Sequence, residues 1–241
     1  MEEKKLKIAF IISSFSHGKG GHYYSLRITA ESLLGVIDPI IVCTGTTSSP
    51  VLDGAACKVY NVLEKSPDPG RTVKRIRRIF RDEQPDVIHA FDMTSLFFAR
   101  LLSHRERLPL LATKTAGPDP IGFWPIVPNM VLYSEENRRW FESHPTFSKT
   151  QFFMLPARAL PVEADDQRIA TLGARLPRGE YLLLMRIARI NERYHQGFQQ
   201  AIRLTETLNR LGIPATLAAI GAVESQQVLE ELQQQADPHV V

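Results

Sequence analysis

The chain has 241 residues, 44% of them hydrophobic and 23% charged, which suits a globular protein with a sizeable core and excludes a disordered tail, a fibre or a disulfide scaffold. Its 29 basic and 26 acidic side chains leave a net charge of +3, too mild on its own to imply a nucleic-acid partner. The two cysteines, Cys43 and Cys57, have no CxxC spacing for zinc and point to a reduced compartment.

The first apolar run, Leu6 to Ile12, has strand length. It falls well short of the ~20 residues that cross a bilayer and lacks the cleavage site of a signal peptide. A Ser/Gly-rich turn, Ser13 to Gly21, opens a helix with Tyr23, Leu26, Ala30 and Leu33 on one face and Gly35 to stop it. Strands follow at Pro39 to Cys43 and Lys58 to Val62, then a basic helix from Thr72 to about Glu83 with Val73, Ile76 and Phe80 at helical spacing. Asp86 to Phe91 is a strand, Thr94 to about His104 a helix and Pro109 to Thr113 a strand. The proline-rich loop Pro118 to Pro128 leads to a strand at Met130 to Tyr133, a helix from Glu135 to Phe141 behind the N-cap Ser134, and a short strand near Gln151 to Leu155.

Strands that alternate with helices predict an α/β domain with a doubly wound parallel sheet. From Pro161 to Gly179 the charge, alanine and punctuating residues read as a linker with room for one helix. A second βαβα series then begins: a strand at Tyr181 to Ile187, a helix from about Arg193 to Leu211, a strand at Thr216 to Ile220 and a helix from about Ser225 to Gln235. Isolated two-strand units are marginal, so the expectation is a piece, or a naturally short version, of a protein about half as long again. The expected domains are 1–158, a linker 159–179, and an incomplete second domain 180–241.

Chemistry is expected at the carboxyl ends of the strands, where open α/β sheets bind ligands. The turn Ser13 to Tyr23 contains His17, Gly18, Gly20 and Gly21. Its glycines let backbone approach a ligand, and the amides of the helix start attract an anion. It is neither a P-loop nor a GxGxxG fingerprint; a plain flexible turn is the alternative. Asp92 ends the fourth strand and either faces that edge or caps the next helix with Thr94 and Ser95. His89 alternates with Ile88 in a buried strand and reads as a core histidine. The turn Thr113 to Pro120 has its shape fixed by Gly117 and two prolines. The apolar stretch Ile121 to Val127 after it packs over the core or forms an acceptor or membrane surface. The helix Arg71 to Arg81 carries Arg71, Lys74, Arg75, Arg77, Arg78 and Arg81, either as a solvated face or as a contact with an anionic bilayer. Arg186, Arg189, Arg193 and His195 surround the end of the first strand of the second series, where basic side chains suit a diphosphate. No Ser/His/Asp arrangement or metal-spaced cluster appears in the sequence.

These turns occur in an order that resembles the family-4 type glycosyltransferases of the GT-B fold. The glycine pair Gly20-Gly21, the PDVIHA strand Pro85 to Ala90, the T-x-x-x-G turn Thr113 to Gly117, the YSEEN junction Tyr133 to Asn137 and the segment Leu184 to Ala201 carry the resemblance, which covers nearly the whole chain. It implies a Rossmann-like, acceptor-side first domain and an incomplete Rossmann-like second domain that binds the nucleotide sugar. The implied reaction moves a sugar from a nucleotide-diphosphate donor to an acceptor hydroxyl, in polysaccharide or glycolipid assembly, with retention and with no metal or other cofactor. Arg189 is then the main donor-phosphate contact, with Gly20, Gly21, Arg193 and His195. His17, Asp92, Thr115, Gly117, Asp119 and Glu135 are on the acceptor side, facing a saccharide or lipid-linked saccharide.

The chain also departs from the family pattern. The usual lysine of the Leu184 to Ala201 segment is absent, so Arg193 or His195 stands in for it, and the spacing to Gly197 is longer. Thr115-Ala116 replaces the histidine that many members carry after strand five. The E-x7-E element that holds the donor sugar and ribose belongs beyond Val241, so no catalytic residue is assigned and the chain alone is expected to be inactive. The resemblance implies a cytoplasmic protein, peripheral on the inner membrane face, with no nucleic-acid partner. A sugar-nucleotide epimerase of the same layout and a non-catalytic binding subunit are the alternative readings.

Overall fold

The computed structural model describes residues 5–15, 18–65, 68–115, 124–155, 164–174 and 179–235. The chain divides into two units, Met1–Pro161 and Val162–Val241. In the first, strands β1 (Leu6–Ser14), β2 (Ile37–Gly45), β3 (Lys58–Leu63), β4 (Val87–Ala90), β5 (Leu110–Lys114), β6 (Asn129–Leu132) and β7 (Gln151–Met154) alternate with helices α1 (Gly21–Ser32), α2 (Pro69–Glu83), α3 (Met93–Glu106) and α4 (Glu135–Glu142). The seven strands form one sheet in the order β3-β2-β1-β4-β5-β6-β7, and every pairing is parallel.

Both faces of this sheet are buried, which is why its strands read as continuous apolar runs. Ala9, Ile11, Ile88 and Ala90 face Val73, Ile76 and Phe80 of α2 and Leu96 and Leu102 of α3. Phe10, Ile12 and Ile41 face Tyr23, Leu26 and Ala30 of α1 on the other side. Strand β2 starts two residues before the proline expected to open it. Pro39 pairs with Ile8 of β1, while β3 joins only at Ile40, so its missing N–H falls where β2 has a neighbour on one side alone. Two short 3-10 turns, Pro50–Leu52 and Pro145–Phe147, were not anticipated.

The second unit holds α5 (Asp166–Gly173), β8 (Leu182–Ile187), α6 (Glu192–Arg210), β9 (Ala215–Ile220) and α7 (Gln226–Gln235). The exposed helix α5 occupies the stretch read as a linker. β8 and β9 pair in parallel, Leu182 opposite Ala215 through Ile187 opposite Ile220. Phe198, Ile202, Leu217, Val228 and Leu232 build a small core with α6 and α7. Leu183, Met185 and Ile187, at alternate positions of β8, are exposed. Among the described residues no helix is long and apolar enough to cross a membrane.

Candidate functional site

In the first unit the candidate site is the carboxyl edge of the seven-stranded sheet. β1 ends at Ser13 and Ser14, and the β2 end is drawn against it: the Thr46 amide donates to the Ser14 carbonyl at 2.9 Å. Gly45 makes this approach possible, because at φ +116° a Cβ there would lie 2.0 Å from the Ser14 oxygen. Below the loop, Gly18 (φ +60°) sits over Ser49, whose hydroxyl donates to the Gly18 carbonyl. The chain is thereby delivered to Gly20, the N-cap of α1. No side chain caps that helix and no acid lies in its first turn. Gly21 is exposed, with nothing within 4 Å of where a Cβ would stand. An uncapped helix start with open space beside it presents backbone N–H groups to an anion.

Asp92 is the N-cap of α3. Its Oδ2 accepts the Ser13 amide at 2.7 Å and its Oδ1 the Ser95 amide at 2.8 Å, while the Ser95 hydroxyl accepts the Asp92 amide. The carboxylate is thus the α3 cap, one of the two roles open to it in the sequence, and a clamp on the end of β1. Burial pushes its pKa up, partly offset by those hydrogen bonds. His89 is a satisfied core residue: its Nε2 lies 2.7 Å from Thr113 Oγ1, its ring rests on Phe91 and Phe10, and burial lowers its pKa to about 3. Thr115 lies half-buried just past β5. Glu135, in the first turn of α4, is about half exposed and within 4 Å of Arg138 and Arg139 of its own helix. His17, Gly117 and Asp119 lie outside the described residues. Of the apolar stretch 121–127, Trp124 and Val127 are core residues and Ile126 is exposed.

The basic helix gives up part of its charge internally. Arg75 bonds Glu64 and the Leu63 carbonyl, Arg71 lies near Glu64 and Asp68, and Arg77 pairs with Glu106. Its apolar stripe is entirely in the core. At the opposite, amino edge of the sheet lies a charged cluster that no motif signals. Glu83 accepts hydrogen bonds from Lys7, Lys58 and Tyr60. Led by the Lys58 bond, these pull the Glu83 carboxyl down to about 2, and Glu83 in turn pushes the Tyr60 phenol up to about 12.

In the second unit, pairing continues past β8 and β9 as a bridge between Ile190 and Val223. Gly221 permits this, since a Cβ there would lie 1.7 Å from the Ala188 oxygen. Arg189 emerges from the β8 end, and its Nη1 lies 3.3 Å from Glu224 Oε1. Asn191 caps α6, and its amide donates to the other oxygen of Glu224 at 2.8 Å. Arg193 is exposed and stacks on Tyr194. The Nε2 of His195 lies 3.6 Å from Glu231 of α7. Arg186 lies against the helix rather than in the turn, its guanidinium over Phe198 in the space that the missing side chain of Gly197 leaves. Among the described residues no group of three or more His, Cys, Asp or Glu is placed to hold a metal ion. Cys43 and Cys57 are free thiols, with burial raising the pKa of each, Cys43 to about 11.

A seven-stranded parallel sheet of this order, followed in the chain by a further βαβα series, defines a GT-B-type fold. Residues 7–124 match the family described as Glycosyl transferase 4-like. The fold is similar to that of Anabaena Alr3699/HepE in complex with UDP and glucose, at TM-score 0.69 and 14% identity over 98% of this chain and 68% of that one. A glycosyltransferase from Rickettsia africae matches at TM-score 0.70 and 14% identity over 97% and 65%. A UDP-N-acetylglucosamine 2-epimerase from Rickettsia bellii matches more weakly, at TM-score 0.56 and 11% identity over 98% and 68%. The chain thus spans about two thirds of the length of each of these proteins. No curated protein matches the sequence significantly.

Proposed function

We propose that the protein is a glycosyltransferase that moves a sugar from a nucleoside-diphosphate donor to an acceptor hydroxyl, in the assembly of a polysaccharide or glycolipid. The observation that carries this reading is the family match over residues 7–124, which spans the uncapped, open helix start at Gly20 and Gly21. In the reaction the bond from the anomeric carbon to the donor phosphate breaks and a bond to the acceptor oxygen forms. The acceptor proton is released and the nucleoside diphosphate leaves. Charge that builds on the leaving diphosphate is met by Arg189 and Arg193, with no metal required. Retention of the anomeric configuration is part of the proposal.

Thr115 and Glu135 remain the acceptor-side residues of this reading. For a lipid-linked acceptor, a cytoplasmic enzyme would work at an anionic membrane surface. Support comes from the outward stripe of α2, where Lys74, Arg78 and Arg81 have no ion pair among the described residues, and from exposed Phe97, Arg100, Leu101 and His104 on the outer face of neighbouring α3. An epimerase of the same layout is the second reading, favoured by the fold likeness to the Rickettsia bellii enzyme.

Calorimetric titration of the chain with UDP and GDP tests the donor assignment. The expected result is binding that weakens about tenfold or more in Arg189→Ala, as for the loss of a charge-assisted phosphate contact. Binding that is indifferent to Arg189 would remove the phosphate role of that residue. Product analysis with a UDP-sugar and an acceptor saccharide then separates transfer from epimerisation.

A further inference from the structure

The Arg189 turn already contains an anion. One oxygen of the Glu224 carboxylate faces the Arg189 guanidinium at 3.3 Å, and the other accepts the Asn191 side-chain amide at 2.8 Å. The Glu224 side chain is 24% exposed and that of Arg189 50%. The backbone fixes this placement: the Glu224 amide donates to the Ile190 carbonyl at 3.0 Å, directly after the Ile190–Val223 bridge. The other acid at this edge, Glu192, is engaged with the Ser225 hydroxyl and does not compete for Arg189. A carboxylate spread over a guanidinium and an amide presents the same charge and acceptor geometry as two oxygens of a phosphate.

We propose that Glu224 is an internal counter-ion that occupies the phosphate position of Arg189, so that a nucleoside diphosphate binds only by displacing it. Glu224 thereby sets the affinity for the donor and for the diphosphate product without touching the sugar. This rests on the reading of Arg189 as the phosphate contact. A guanidinium N–H turned to a carboxylate is not available to a phosphate, and the repulsion between Glu224 and an incoming diphosphate adds to that competition. The pair is open to solvent, so its displacement costs little and the effect is a tuning of affinity, not a block.

Calorimetric titration with UDP, inorganic pyrophosphate and uridine at low ionic strength tests this on the wild type, Glu224→Gln, Arg189→Ala and the double variant. Glu224→Gln is expected to bind UDP and pyrophosphate about three- to fivefold more tightly, to leave uridine unchanged, and to give no gain in the Arg189→Ala background. Glu224→Ala serves as the second variant, with thermal unfolding as a check on folding. Unchanged or weaker UDP binding in both Glu224 variants overturns the inference, as does a gain that persists without Arg189. If Arg189→Ala binds UDP as well as the wild type does, the phosphate reading itself falls. If Arg189→Ala weakens binding and the Glu224 variants do nothing, only the counter-ion role falls. Absence of UDP binding by every variant at millimolar ligand overturns both.

Discussion

Two groups of the first unit, buried His89 and the carboxylate of Glu83, respond to acid in different windows. Burial lowers the His89 pKa from 6.5 to about 3, so the folded protein keeps the ring neutral while the unfolded chain takes up a proton below pH 6.5. Stability therefore falls as the pH drops from 6.5 toward 3. Glu83, held by Lys58, Tyr60 and Lys7, has its pKa lowered from 4.5 to about 2. Its contribution is complete above pH 4.5 and is lost as the pH falls through 2. Urea unfolding of His89→Gln, which keeps an acceptor and donor for Thr113, is expected to flatten the stability profile between pH 6.5 and 4.5. At neutral pH the variant changes stability little. Glu83→Gln is expected to lose about 2 kcal/mol at pH 7 and to become less sensitive below pH 4.5. A profile for His89→Gln parallel to the wild type would place the acid response elsewhere. The His89 role is legible from its alternation with Ile88. The Glu83 cluster is not, because Lys7, Lys58, Tyr60 and Glu83 come from three elements, β1, β3 and α2, that only the parallel register gathers at one edge. Asp92 is ambiguous in sequence for another reason: an acid after a strand and before Ser95 has the same signature whether it caps a helix or meets a ligand. Glu224 carried a readable signal, an acid three residues after the glycine that ends a strand, but its partner Arg189 is known only through the β8–β9 pairing.

At the scale of elements, the strands of the first unit were legible as short apolar runs and the helices by their 3.6-residue spacing. What the pattern did not decide was the destination of polar faces. Helix α2 looks from sequence like a strip that could lie in a bilayer, yet Val73, Ile76 and Phe80 are 6%, 0% and 4% exposed, packed between the sheet and α3. Phe80→Ala is expected to cost about 3–4 kcal/mol in denaturant unfolding, whereas a stripe reserved for lipid would tolerate it. Any membrane contact must then use the outer cations, and not all of them serve. Arg71, Arg75 and Arg77 are committed to Glu64, Asp68 and Glu106, so the informative charge reversals are Lys74→Glu with Arg78→Glu. Each basic side chain near an anionic surface contributes about 1 kcal/mol, and two reversals are expected to lower partition onto anionic vesicles more than tenfold while leaving the unfolding midpoint unchanged. Equal sedimentation of wild type and variant with those vesicles would end the membrane reading. The short helix α5 escaped the pattern because none of its residues is buried, so no core imposes a stripe on it.

On the scale of the whole molecule, each of the three apolar clusters among the described residues draws its residues from one unit. The two large ones lie within residues 8–152 and the small one within residues 184–232. Cooperative unfolding follows shared buried surface, so each unit is expected to unfold on its own core. The first buries both faces of a seven-stranded sheet. The second leaves Leu183, Met185 and Ile187 of its two-stranded sheet at 41%, 61% and 70% exposure, and two-stranded units are marginal without more strands or helices against them. Differential scanning calorimetry is therefore expected to give two transitions, the lower belonging to residues 162–241. Phe198 is 1% exposed at the centre of the small core, and Phe198→Ala, at a cost of about 3–5 kcal/mol, is expected to abolish the lower transition and leave the upper one in place. Leu96→Ala on α3, buried in the first unit, is expected to lower only the upper one. A single transition moved by both substitutions would mean that the units unfold together. A UDP-induced rise of the lower transition alone, lost in Arg189→Ala, would then locate the diphosphate contact on the second unit by a route independent of calorimetric titration.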